Sequence, residues 1–178
     1  RERINIGPDA YAFRFSDGRA DVIALCAPDR ARLAAYRATP PVRVINAFGE
    51  TMKPVSISEA GENAASVVTL DAGFPVYLVG PVDFAFESLP APIAWSIEPQ
   101  AARAGETVDL RLTGTVPQAD RLDWDLPQGW PQPRKTGPGT WTLVVPEHAP
   151  AYEFDVQALM NHNGTQLRLP LRIPVAPA

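Results

Sequence analysis

Cysteine, histidine and lysine are all scarce in this chain, and each shortage closes a line of function. The single cysteine, Cys26, excludes an internal disulfide. The two histidines, His148 and His162, fit no zinc-ligand spacing, so neither a metal site nor a cofactor is expected. Lysine supplies only two of the sixteen basic residues, a bias toward arginine that reads as GC-rich coding and not as a set of binding sites. The formal net charge of −4 splits evenly: nine Lys/Arg against eleven Asp/Glu over residues 1–89, then seven against nine over the remainder. No basic face is left for nucleic acid. There is no run of about 18 apolar residues, no signal-like apolar core and no initiating methionine, so the chain is expected to be soluble as given, with no membrane span. A removed signal and a missing N-terminal domain both stay open.

What the chain does have is apolar mass and proline. Hydrophobic residues make up 46% and charged residues 20%, enough to build a core and too little polarity for disorder. Twenty prolines are about twice the usual share, and proline is tolerated at strand edges and turns but not inside helices. The composition therefore predicts an all-β chain. The proline-bracketed stretch from Gly80 to Pro92 splits the strand-like segments into two halves, each the size of one small sandwich. The expected organisation is a first sandwich over 1–81, a linker over 82–91 and a second sandwich over 92–178. Phe84, Phe86 and Leu89 are costly to leave in water, so the linker should pack against one domain.

In the first half, Tyr11 to Ser16 and Ala20 to Cys26 flank Asp17-Gly18-Arg19, a strong hairpin signal because glycine accepts the positive φ of the turn. Pro28 to Tyr36 holds good helix formers but runs into Thr39-Pro40-Pro41, so at most a short helical turn fits and the stretch is expected to be a connecting loop. Strands are expected at Val42 to Asn46, Lys53 to Ser58, Ala65 to Leu70 and Pro75 to Val79. The hairpin, then Val-Arg-Val-Ile-Asn-Ala-Phe-Gly-Glu (42–50), Val-Val-Thr-Leu (67–70) and Phe-Pro-Val-Tyr-Leu-Val-Gly (74–80) resemble the small β-sandwich that follows the barrel of many glycoside hydrolases. The resemblance covers about residues 10–81. It implies a sandwich that packs on a catalytic barrel and carries no catalytic carboxylate, with Val44, Phe48, Val76, Tyr77 and Leu78 matching as packing positions. Cys26 departs from it, since a large apolar residue is expected in the second strand of the hairpin.

In the second half, Ile93 to Ile97, Gly105 to Leu112, Arg121 to Leu126, Thr140 to Val145, Tyr152 to Met160 and Gln166 to Ile173 alternate with period 2, and Asn163-Gly164 marks the last hairpin tip. Regular turn spacing predicts an immunoglobulin-like sandwich. The segments Ala104 to Val108 and Leu126-Pro127-Gln128-Gly129-Trp130 resemble the immunoglobulin-like domains appended to bacterial glycosidases.

All four tryptophans lie in this half, and an indole left exposed stacks well on the apolar face of a sugar ring. Alternation points Trp124 and Trp141 into the core. Trp130, in a turn between Gly129 and Pro131, and Trp95, beside the linker, are the ligand-binding candidates. Asp123 and Asp125 share one strand face about 7 Å apart. Parallel acids cannot flank a scissile glycosidic bond from opposite sides, so the pair reads as a solvated face and not as a catalytic or calcium-binding pair. Glu147-His148 reads as a surface loop and Asn163-Gly164-Thr165 as a turn. With no catalytic residues to name, the chain is expected not to be an enzyme by itself. It reads as a non-catalytic accessory region of a secreted or periplasmic bacterial protein, supporting a preceding catalytic domain and contacting polysaccharide. The alternative is a structural or protein-docking pair of a cell-surface or secretion assembly, in which edge strands bind a partner.

Overall fold

The computed structural model describes residues 2–6, 10–56, 65–91, 93–114, 122–162 and 164–177. The chain divides into two compact units, Arg1–Ala91 and Pro92–Ala178. Among the described residues both are built of antiparallel strands without a helix.

The first unit contains β1 (Glu2–Asn5), β2 (Tyr11–Ser16), β3 (Asp21–Cys26), β4 (Arg32–Thr39), β5 (Arg43–Ile45), β6 (Thr51–Met52), β7 (Val55–Ser56), β8 (Ser66–Leu70), β9 (Val76–Gly80) and β10 (Ala85–Leu89). A six-stranded sheet in the order β1-β2-β3-β9-β5-β6 faces a four-stranded sheet in the order β10-β4-β8-β7. Ala12, Ile23, Leu25, Val44, Val76 and Leu78 from the first sheet close on Tyr36, Val68 and Leu70 from the second. The Asp-Gly hairpin forms as expected: Asp17 Oδ1 accepts the N–H groups of Arg19 (2.8 Å) and Ala20 (2.9 Å), and Gly18 takes φ 79°.

Two expectations are corrected here. Residues Arg32–Thr39 form strand β4 instead of a connecting loop with at most a helical turn, because β4 pairs with β8 on one side and β10 on the other and buries Ala35 and Tyr36. Tertiary pairing of this kind overrides weak helix propensity. The stretch expected as a linker over 82–91 contains β10, which completes the smaller sheet. Phe84 is buried and Phe86 stacks on Tyr36 at 6.2 Å between ring centroids. The cost of exposing those rings, read from the sequence, is what draws the segment onto the sheet. Cys26 is half-buried, so its position does not call for a large apolar side chain; burial pushes its thiol pKa up.

A buried carboxylate fastens the turn between β9 and β10. The Asp21 side chain is 2% exposed; its Oδ2 accepts from Arg14 NH1 at 3.1 Å and from the Asp83 N–H at 3.0 Å. Arg14 NH2 in turn donates to the Phe84 carbonyl at 3.1 Å. The Ser16 hydroxyl, the Asp83 N–H and Arg14 together outweigh burial and hold the Asp21 carboxyl below its ordinary value of 3.8. A depressed folded pKa contributes stability that is complete above the unfolded value and lost as pH falls through the folded one. Thermal melts of the wild type and Asp21→Asn should therefore differ most above pH 4, with the wild type more stable, and converge in stronger acid. Gly80 supplies a second check. A Cβ there would meet Phe84 Cδ1 at 2.7 Å and Val42 Cγ1 at 2.8 Å. Gly80→Ala should cost about 1–3 kcal/mol in urea unfolding through overpacking.

The second unit contains β11 (Ile93–Glu98), β12 (Thr107–Gly114), β13 (Leu122–Asp125), β14 (Arg134–Gly137), β15 (Thr140–Val144), β16 (Glu153–His162) and β17 (Thr165–Pro174). One sheet runs β11-β12-β15-β14 and the other β13-β16-β17. Lettered A to G in chain order, these are A-B-E-D and C-F-G, the strand order of the immunoglobulin constant-type sandwich. The second unit is immunoglobulin-like. Alternation is strict: Val108, Leu110 and Leu112 of β12 point inward, as do Val156, Ala158 and Met160 of β16 and Leu167, Leu169, Leu171 and Ile173 of β17. The tip residue Asn163 lies outside the described residues.

Candidate functional site

Three of the four indoles meet inside the second unit. Trp95 on β11 and Trp141 on β15 belong to one sheet, separated by β12, and Trp124 on β13 reaches them from the other. Their ring centroids form a near-equilateral triangle, with Trp95–Trp124 at 5.5 Å, Trp95–Trp141 at 5.9 Å and Trp124–Trp141 at 5.8 Å. Tilted and edge-to-face contacts at such distances are favourable for aromatic quadrupoles. Trp141 is buried and the other two half-buried. The Trp95 Nε1 is buried without a hydrogen-bond partner. Thus Trp95, a ligand candidate from the sequence, has its ring engaged by two other indoles.

Trp130, the other candidate, follows the turn at Pro127, whose carbonyl accepts the Trp130 N–H at 3.1 Å, with Gly129 at φ 86°. Its half-buried ring lies 4.8 Å from that of Phe154. Phe154 also meets Tyr152 at 5.6 Å and 83°, so Trp130, Phe154 and Tyr152 form a row whose outer member is 68% exposed. Next to Tyr152, Arg172 on β17 lies directly opposite Asp155 on β16. Its Nε donates to Asp155 Oδ1 at 2.9 Å and its NH1 to Glu153 Oε2 at 2.8 Å. These bonds, Asp155 foremost, hold the guanidinium even more firmly protonated than usual. Tyr152, Glu153, Asp155 and Arg172 line a shallow depression of about 410 Å³. Sequence reasoning missed Tyr152 because alternation puts it on the inward parity of Phe154. The strand begins only at Glu153, and the bend at Ala151-Tyr152 releases the ring outward. The proline before the bend, Pro150, is the signal that marks it.

A second exposed aromatic feature lies in the first unit. Asn46 Oδ1 accepts the N–H groups of Phe48 (3.0 Å) and Glu50 (2.9 Å), and Gly49 takes φ 85°, which leaves Phe48 at the tip of the β5–β6 turn. Phe74, after Gly73 at φ 74°, meets it at 5.7 Å. Phe48 is 75% exposed and Phe74 50%. Phe48, expected as a packing position, therefore has Phe74 as its ring neighbour and most of its surface in solvent. Val44, Val76 and Leu78 are buried and Tyr77 half-buried.

Asp123 and Asp125 are exposed on β13, and Glu147 and His148 are exposed in a turn. Among the described residues no group of three His, Cys, Asp or Glu side chains is placed to hold a metal ion. No helix among them is long and apolar enough to cross a membrane.

No protein-family model matches the sequence, and no curated protein is similar to it. Among solved structures, the full ectodomain (Ig1–Ig3) of mouse nectin-like molecule 4 is similar at a TM-score of 0.30 and 15% identity, over 94% of this chain and 64% of that one. A superposition that loose carries no argument, and the immunoglobulin-like assignment rests on strand order. That architecture suits a structural or binding module.

The indole triangle and the Trp130 row are expected to respond differently to truncation. Trp141→Ala, which removes a buried ring from the triangle, should destabilise the second unit by about 3–5 kcal/mol in urea unfolding. Trp130→Ala should cost less, since its ring is half-exposed; an equal or larger loss would show that Trp130 is the true core residue.

Proposed function

We propose that the chain is a non-catalytic accessory region of a secreted or periplasmic bacterial carbohydrate-active protein, with the first sandwich supporting a catalytic domain and the second contacting polysaccharide. The observation that carries this reading is the exposed Phe48–Phe74 pair. Both rings lie on segments whose sequence resembles the sandwich that docks on a glycoside hydrolase barrel. Burying an aromatic side chain is worth about 1.5–3 kcal/mol, so two rings held outward by defined turns suit a protein surface that covers them.

The protein-docking alternative draws on the same rings, but strand addition finds little support at β17, the longest edge strand among the described residues. The Val175 N–H donates to the Tyr152 carbonyl at 2.8 Å, while the Pro174 carbonyl accepts from Ala102 on the opposite side at 3.1 Å. Even-numbered positions thus face the free edge, and Pro170 and Pro174 have no N–H to offer there.

A photo-crosslinking residue at position 48 of the full-length parent protein should join to peptides of its catalytic domain, whereas one at exposed Glu147 should not. Crosslinks to a separate protein alone would hand the chain to the docking alternative. The isolated chain should release no reducing ends from soluble polysaccharides, and release would overturn the non-catalytic reading.

A further inference from the structure

We propose that Tyr152, Glu153, Asp155 and Arg172 form a subsite for a neutral sugar residue of a polysaccharide chain. The proposal rests on the carbohydrate reading above but uses atoms unrelated to Phe48 and Phe74. Tyr152 is 68% exposed, yet its ring is braced by Phe154 at 5.6 Å, itself braced by Trp130 at 4.8 Å. A ring backed in this way loses little freedom when a ligand stacks on it, and it offers an apolar surface to the C–H groups of a pyranose.

The polar half of the site is equally fixed. Arg172 is clamped between two carboxylates, by Nε to Asp155 and by NH1 to Glu153. Arg172 has guanidinium N–H groups beyond those two bonds, and Asp155 and Glu153 each have a second oxygen, so the residues lining the depression supply both donors and acceptors. Sugar hydroxyls both donate and accept, so adjacent hydroxyls of one ring replace the water on such an array one for one. A protein partner would have to desolvate the ion pairs with fewer matching groups, at a cost that buried ion pairs seldom recover. Two carboxylates against one guanidinium leave the site with a net negative charge, which disfavours uronate, sulfated or phosphorylated glycans. The depression of about 410 Å³ lies within the range of small-ligand sites.

Isothermal titration of the isolated chain with cellohexaose, xylohexaose, mannohexaose and maltohexaose, and with an oligogalacturonate, tests the subsite. Saturable binding of at least one neutral oligosaccharide is expected, weakened at least tenfold by Tyr152→Ala, weakened by Asp155→Asn and restored by Tyr152→Trp. Tyr152→Ala should leave the thermal midpoint unchanged, as befits an exposed ring. Three results would each overturn the proposal: binding of the oligogalacturonate alone, neutral binding indifferent to Tyr152→Ala, or no binding of any of the neutral probes. If position 48 still crosslinks to a catalytic domain in that last case, only the subsite falls and the accessory reading stands.

Discussion

Two sheets packed face to face need something that stops them sliding, and in many immunoglobulin domains that is a disulfide beneath a tryptophan. A chain with one cysteine has no such bond, and here the strand-C tryptophan, Trp124, rests on Trp95 and Trp141 of the opposite sheet. Indoles are large and rigid, so three of them in mutual contact set sheet spacing and register together. The alternating aliphatic faces of β12, β16 and β17 fill the rest of the interior. The arrangement engages three of the four tryptophans with one another inside the second unit.

Across the chain, aromatic rings divide between the interior and the surface. Tyr36 and Phe84 are buried in the first unit and Trp141 in the second. Phe48, Phe74 and Tyr152 are held outward, each by a turn or bend that costs the fold little. Charge follows the same economy. Asp21 is buried with its Oδ2 bonded to Arg14 and the Asp83 N–H, while Arg172 with Asp155 and Glu153 stays at the surface, where an ion pair contributes little to stability.

Much of the fold was legible because β-strands write their burial as alternation. The Asp17-Gly18 hairpin, the inward faces of β12 and β16 and the buried position of Trp141 follow from period-2 patterning and turn chemistry. What was not legible came from long-range pairing. Alanine- and arginine-rich β4 has helix propensity, and only its partners β8 and β10 make it a strand. Proline-flanked β10 looked like a linker for the same reason. The candidate site was legible only as far as Trp130. Neither the bend that turns Tyr152 outward nor the cross-strand pairing of Asp155 with Arg172 is local, since the two residues are seventeen positions apart.

The central claim is that the indoles of the triangle are structural and that Tyr152 faces solvent. Photochemically induced nuclear polarisation reads this directly, because a dissolved flavin dye polarises only aromatic side chains it can reach. The account predicts that the strongest tyrosine signal disappears in Tyr152→Phe and that Trp141 gives none. Strong polarisation of Trp141 with no signal assignable to Tyr152 would contradict it.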